Sequence, residues 1–233
     1  MENREEVSNA DSDPIRDAWE SLGIAFAANQ TGMKHADPER TLLLTLHEFQ
    51  DQRKMLKLLL AWLKEYGDLV HVERLKSLAV DITAHELAWL GGLSSHRVED
   101  GDLRWKSIIQ MIKERLGSPS PHFTTSKLDE LQAKRVGIDK HFQQFGLILP
   151  LVEPTDAKKL TPFSITVQNN LWLRLRALFG TNWRADTATI LVLGKAKNPY
   201  QAERILGCAK ETAYRNWKAL KEAGAETLLK GAA

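Results

Sequence analysis

Between Asp37 and Gly67 the apolar positions fall at Leu42, Leu43, Leu46, Phe49, Met55, Leu56, Leu59, Leu60 and Leu63. Steps of three and four place them on one side of a helix, so the stretch predicts one long helix or two broken near Gln50–Asp51. Asp37 stands ready as a cap, Pro38 as the first helical residue and Glu39 in the first turn, and Gly67 closes the pattern. "HVERLKSLAVD" and "ITAHELAWLGGL" predict two shorter helices, the second capped by Asp81 or Thr83 and ended by Gly91-Gly92. "LRWKSIIQMIKERLG" predicts another, with Leu103, Ile108, Ile109, Ile112 and Leu116 on one side. Upstream, "DPIRDAWESLGIAFAAN" predicts a short helix capped by Asp13, behind an opening stretch expected to be disordered.

"GSPSPHFTTS" (117–126) interrupts the periodicity with two prolines and predicts a linker. A helix follows in "SKLDELQAKRVG", with a second expected from Asp139 to Phe145. "LILPLVEPTDAKKLTP" predicts an irregular crossover. The last block contains "SITVQNNLWLRLRALFG", "RADTATILVLGKAK" and "NPYQAERILGCAKETAYRNWKALKEAG". In the last of these, Asn198 and Pro199 open a helix, and Gly207 turns the chain because a left-handed residue is cheapest as glycine. A further helix then carries Ala213, Trp217 and Leu220 as its apolar stripe. Lys210, Glu211, Thr212, Tyr214, Arg215, Asn216 and Lys218 are left to its other faces. The expected fold class is mainly α. An acidic, partly disordered segment (1–35) precedes an N-terminal helical bundle (36–117). Linker and connecting helices (118–165) then lead to a C-terminal helix-turn-helix domain (166–233).

Charge sharpens this division. Residues 1–20 hold seven acids and two bases, whereas residues 171–233 hold eleven Lys/Arg and five Asp/Glu, within a chain whose net charge is only +2. An anionic partner would therefore be met by the C-terminal quarter. Cys208 is the only cysteine, so an intramolecular disulfide and a cysteine-rich zinc site are both excluded, and a reducing cytoplasm is expected. No apolar run is long enough for a membrane span, and the polar, acidic opening does not read as a secretory signal.

The stretch 184–226 resembles the helix-turn-helix of winged-helix DNA-binding domains of the ArsR/MarR-like kind. The matching features are the glycine turn in "ILGCAKETAY", the small Ala213 five positions after Cys208, and the closing "WKALKEAG". In that superfamily the pattern LxxLxxxG closes the recognition helix before the wing. Nine residues follow Gly224, too few for a full two-stranded wing. The resemblance implies a winged-helix-like domain and double-stranded DNA as partner. The helix 210–224 would enter the major groove. Arg215 and Asn216 carry planar donors suited to guanine and adenine edges. Tyr214, Thr212, Lys210 and Lys218 would touch phosphates or neighbouring bases, with Arg204 and Lys197 holding the backbone.

The leading expectation is thus a DNA-binding transcriptional regulator, homodimeric or bound to a partner protein through its N-terminal helices. The alternative is an antitoxin-like or scaffolding protein whose helix-turn-helix mediates protein contact. No enzyme is expected, because no GxGxxG, GxxxxGK[ST] or GxSxG string occurs. Histidines 47, 71, 85 and 96 read as exposed or capping residues, HExxH spacing is absent, and neither metal nor other cofactor is expected.

Overall fold

The computed structural model describes residues 13–26, 34–48, 53–117, 122–123, 125–152 and 159–230. The opening stretch expected to be disordered, the expected break near Gln50–Asp51 and most of the Pro/Ser cluster lie outside these residues. The described chain is mainly α, with no strand beyond isolated bridges. None of its helices is long and apolar enough to cross a membrane.

The first half contains α1 (Pro14–Ser21), α2 (Pro38–Thr45), α3 (Arg53–Tyr66), α4 (Val72–Leu78), α5 (Ala84–Glu99) and α6 (Lys106–Leu116). Side-chain caps account for three of these six starts. Asp13 caps α1 through the amides of Ile15 and Arg16, and Asp37 caps α2 through that of Arg40. Thr83 caps α5 in a reciprocal box with Glu86, so of the two residues expected there Asp81 is not the cap.

Gly91 and Gly92 do not end α5, contrary to expectation; the helix runs on to Glu99. Their role is closeness. A Cβ at Gly92 would come within 2.0 Å of the Phe142 ring, and one at Gly91 within 2.6 Å of Phe145. These rings belong to α8 (Lys140–Gln143) and the turn after it, which follow α7 (Lys127–Val136). The missing side chains bring this one-turn helix hard against α5.

The first core gathers segments from far apart in sequence. Trp19, Leu22 and Ile24 lie fully buried with Trp62, Trp89 and Trp105, and Phe142, Phe145, Leu147 and Leu149 join them. Two of these indoles are paired within the packing: Trp19 Nε1 donates to Thr45 Oγ1 at 2.8 Å and Trp62 Nε1 to the Leu22 carbonyl at 2.6 Å. Backbone bonds from Ala25 to Lys159 and from Thr161 to Gly23, each 2.8 Å, fasten the N-terminal segment to the later crossover.

The second half contains α9 (Phe163–Asn169), α10 (Leu171–Phe179), α11 (Trp183–Val192), α12 (Pro199–Leu206), α13 (Lys210–Glu222) and α14 (Ala225–Lys230). Helix α10 serves both halves. Leu173 enters the first core, whereas Leu171, Trp172 and Leu175 enter apolar clusters with α11 to α14.

Charge, not apolar contact, joins the halves most specifically. Arg176 of α10 grips Glu39 of α2 with Nη1 and Nη2 at 2.7 and 2.8 Å, and its Nε donates to Asp186 of α11 at 2.8 Å. Arg74 of α4 donates to both Asp37 and Glu39, and His71 Nδ1 lies 2.6 Å from Asp186 Oδ2. Arg74 and Arg176 also stack on Trp172, with Cζ 4.6 and 5.5 Å from its ring. Of the six ionisable side chains, Asp37 is the most exposed at 10%. Burial pushes the Glu39 and Asp186 carboxyls up, but the guanidiniums outweigh it and hold both below their ordinary values.

Arg176→Met should therefore cost about 3–5 kcal/mol in urea unfolding at neutral pH, because it removes the guanidinium shared by two buried carboxylates and leaves Glu39 to Arg74 and Asp186 to His71 alone. Depressed carboxyl values stabilise the fold above the unfolded-state value of about 4, and that support is lost as pH falls through the native values. The gap between wild type and Arg176→Met should accordingly narrow in unfolding curves taken at progressively more acid pH. Gly92→Ala should lose about 1–3 kcal/mol in the same assay despite alanine's better helix propensity, since the Phe142 ring must move.

Candidate nucleic-acid interface

Helices α11 to α14 build the C-terminal unit, and local sequence explains several of their boundaries. Asn182 caps α11 through the amides of Arg184 and Ala185. Asn198 caps α12 through that of Gln201, with Pro199 as first residue. Gly207 ends α12 at φ +74°, and Cys208 and Ala209 lead directly into α13. Ala202, Leu206, Cys208, Ala213 and Trp217 pack on Ile190 and Leu191 of α11 and on Trp172. Burial pushes the Cys208 thiol up, which keeps it protonated and inert in its turn.

Arg40 ties this unit to the first half: its Nη2 donates to the Ile205 carbonyl at 2.7 Å, near the end of α12. With the buried ion network, this sets the orientation of α12 and α13 on the remainder of the chain.

Most sequence-predicted site residues stand in solvent. Lys210, Tyr214, Arg215 and Lys218 are exposed on α13, Arg204 on α12 and Lys197 just before it, and Thr212 is half-buried. Lys210, Glu211, Tyr214 and Arg215 together line a shallow open depression. Arg215, Lys210 and Arg204 make no ion pair among the described residues, whereas Lys218 Nζ lies 3.8 Å from Glu222.

Asn216 departs from the expected placement. It is 6% exposed and has no face to offer a base edge. The reason is periodicity: position 216 lies three residues after Ala213 and four before Leu220, so it belongs to the stripe that packs inward. Tyr200, 63% exposed, was not singled out from the sequence. It stands four residues before Arg204 on the same helix, a spacing that would have revealed a shared face.

The segment after Gly224 is helical. Ala225 is buried and Leu229 packs on the same core, so α14 occupies the place in the chain where the resemblance would set wing strands.

Two histidines depart from the exposed or capping roles expected of them. His71 occupies the N-cap position of α4, but its ring is buried against Asp186. His96 Nε2 lies 3.1 Å from Asp139 Oδ2, with His141 beside it, where α8 meets α5. Comparison of the chain with family models, curated proteins and solved structures yields no match.

The left-handed turn at Gly207 has a measurable consequence. Gly207→Val should destabilise the protein by about 1–2 kcal/mol in chemical unfolding, because a β-branched residue resists positive φ and its Cβ would crowd Leu78.

Proposed function

We propose that this protein binds double-stranded DNA through α13 and acts as a transcriptional regulator. One observation carries the reading. Two helices joined at a left-handed glycine present Arg204, Lys210, Tyr214, Arg215 and Lys218 to solvent around an otherwise sealed core. A helix of 13 residues offers enough length for the major groove, and its N-terminal turns carry the residues aimed at base edges. Arg215 is the base-reading residue, since its planar fork matches guanine and no carboxylate holds it back. Lys210, Lys218 and Arg204 meet phosphates, and Lys197 borders the same backbone track. Asn216 has no part in readout, and with α14 in the wing's place the proposal needs no wing. The N-terminal helices supply two-fold pairing, so that two copies of α13 address half-sites about one helical turn apart.

A second reading, protein docking through the same helix, draws on Glu211 and Glu222, which share the exposed face with the bases, and on the exposed Tyr200 and Tyr214. An acidic pair weakens attraction to phosphate, and tyrosine is enriched at protein interfaces.

Selection from a pool of random duplexes, followed by fluorescence anisotropy on the enriched sequence, decides between them. Arg215→Ala should cost about 1–3 kcal/mol and relax preference at one base pair, whereas Lys218→Ala should weaken all duplexes alike and lower the salt slope by about one. Failure to enrich any sequence, or equal affinity of wild type and the Arg215→Ala/Lys218→Ala double variant, would rule out readout by α13. A stoichiometric protein partner retained at high salt would then favour docking.

A further inference from the structure

We propose that His96, Asp139 and His141 form a binding site for one divalent transition-metal ion of the zinc class, with Glu99 as a fourth donor. The site lies between α5 and α8, beside the first core, and is independent of the DNA-binding reading. Each of the three residues offers a ligand atom, and these atoms lie within 4.8 Å of one another.

The backbone explains why they converge. Gly92, His96 and Glu99 follow at steps of four and three along one side of α5. Gly92 admits the Phe142 ring, which draws α8 down onto that side. Asp139 is the N-cap of α8 and His141 sits in its single turn, so the close approach delivers both to His96. The two imidazole rings lie 4.0 Å apart between centroids.

The donor geometry suits a small tetrahedral ion. His96 Nε2 and Asp139 Oδ2 are 3.1 Å apart, near the roughly 3.3 Å edge set by metal–ligand bonds of about 2.0–2.1 Å. Asp139 is held from behind: its Oδ1 accepts from the His141 amide at 2.9 Å and its Oδ2 from the Val152 amide at 3.3 Å. His141 Nε2 lies 2.7 Å from Glu99 Oε2, while its Nδ1 meets Ser95 Oγ at 2.9 Å. Gln144 Nε2 in turn donates to that hydroxyl at 2.5 Å.

Ser95 gives the site its chemical logic. A hydroxyl either donates or accepts, so it serves His141 in both tautomers. Without metal, a proton on Nε2 faces the Glu99 carboxylate and Ser95 donates to Nδ1. With metal, the proton resides on Nδ1 and is accepted by Ser95, which frees the Nε2 lone pair for the ion. A second hydrogen bond of this kind is the usual support of a metal-bound imidazole. Two imidazoles with one or two carboxylates favour zinc, copper, nickel or iron over calcium and magnesium, which take all-oxygen sets. Asp139 is fully buried, His96 and His141 are partly exposed and Glu99 is largely exposed, which leaves an entry path from solvent on the Glu99 side. Loading would clamp α8 to α5 and raise thermal stability.

The test uses the full chain without an affinity tag, stripped by EDTA and titrated with Zn²⁺ against a chromophoric chelator. One zinc per chain is expected. His96→Gln and His141→Gln should each weaken binding by more than about 100-fold, and Ser95→Ala by about 10-fold, the latter typical of a lost support to a ligand. His122→Ala, at an exposed histidine elsewhere, should bind as wild type. A second readout needs no variant. Zn²⁺ should protect His96 and His141 of the wild-type chain from diethylpyrocarbonate, measured peptide by peptide, while His47 and His122 react unchanged. Absence of zinc binding, affinity indifferent to His96→Gln and His141→Gln, or equal modification of His96 and His141 with and without zinc would each overturn the site.

Discussion

The grip of Arg176 on Glu39 and Asp186 is the constraint on which the arrangement of this protein depends. A guanidinium and two carboxylates removed from water cost several kcal/mol each unless every one is paired and hydrogen-bonded. Here the partners come from α2, α10 and α11, and Arg74 and His71 close the set from α4 and the residue before it. A slip of any one helix would strand a buried charge. Apolar contacts tolerate small sliding; this network does not. It therefore sets the register between the large first core and the C-terminal helices, a role distinct from adding net stability.

The proposed DNA contact would depend on that register. Helices α12 and α13 have a small core of their own, and they stand on α11, which Arg176 locks through Asp186. The Arg40 bond to Ile205 fixes the far end of α12. A DNA-reading helix has to be held rigidly relative to whatever pairs or regulates it, because half-site spacing is a matter of geometry. The exposed bases of α13 are thus carried on a base of fixed orientation. At the opposite end of the chain's logic, Gly91 and Gly92 exert a similar control by omission: two absent side chains decide how near α8 approaches α5, and hence that His96 and His141 share a space.

Much of the fold was legible because its signals are local. Caps at Asp13, Asp37 and Asn198, the left-handed Gly207 and the apolar stripes of α3, α6 and α13 are each set by residues within a few positions. The exposed bases on α13 were legible for the same reason. Asn216 was misplaced because residue type was weighed above period, although the period alone puts it inward. Gly91-Gly92 was misread as a helix end because glycine marks both termini and close packing, and only the presence of Phe142 and Phe145 tells these apart.

By itself the sequence determined where most helices begin and which faces they bury, since hydrogen-bond caps and the 3.6-residue period act over short spans of chain. It equally determined that the C-terminal quarter is basic. Only the tertiary structure decided which charges meet. Glu39, Arg74, Arg176 and Asp186 each have another charged residue within two positions, so nothing local marks them as the buried ones, and His96 lies some forty residues from Asp139 and His141. Electrostatic pairing and metal-ligand convergence depend on distance in space, and no local pattern encodes it.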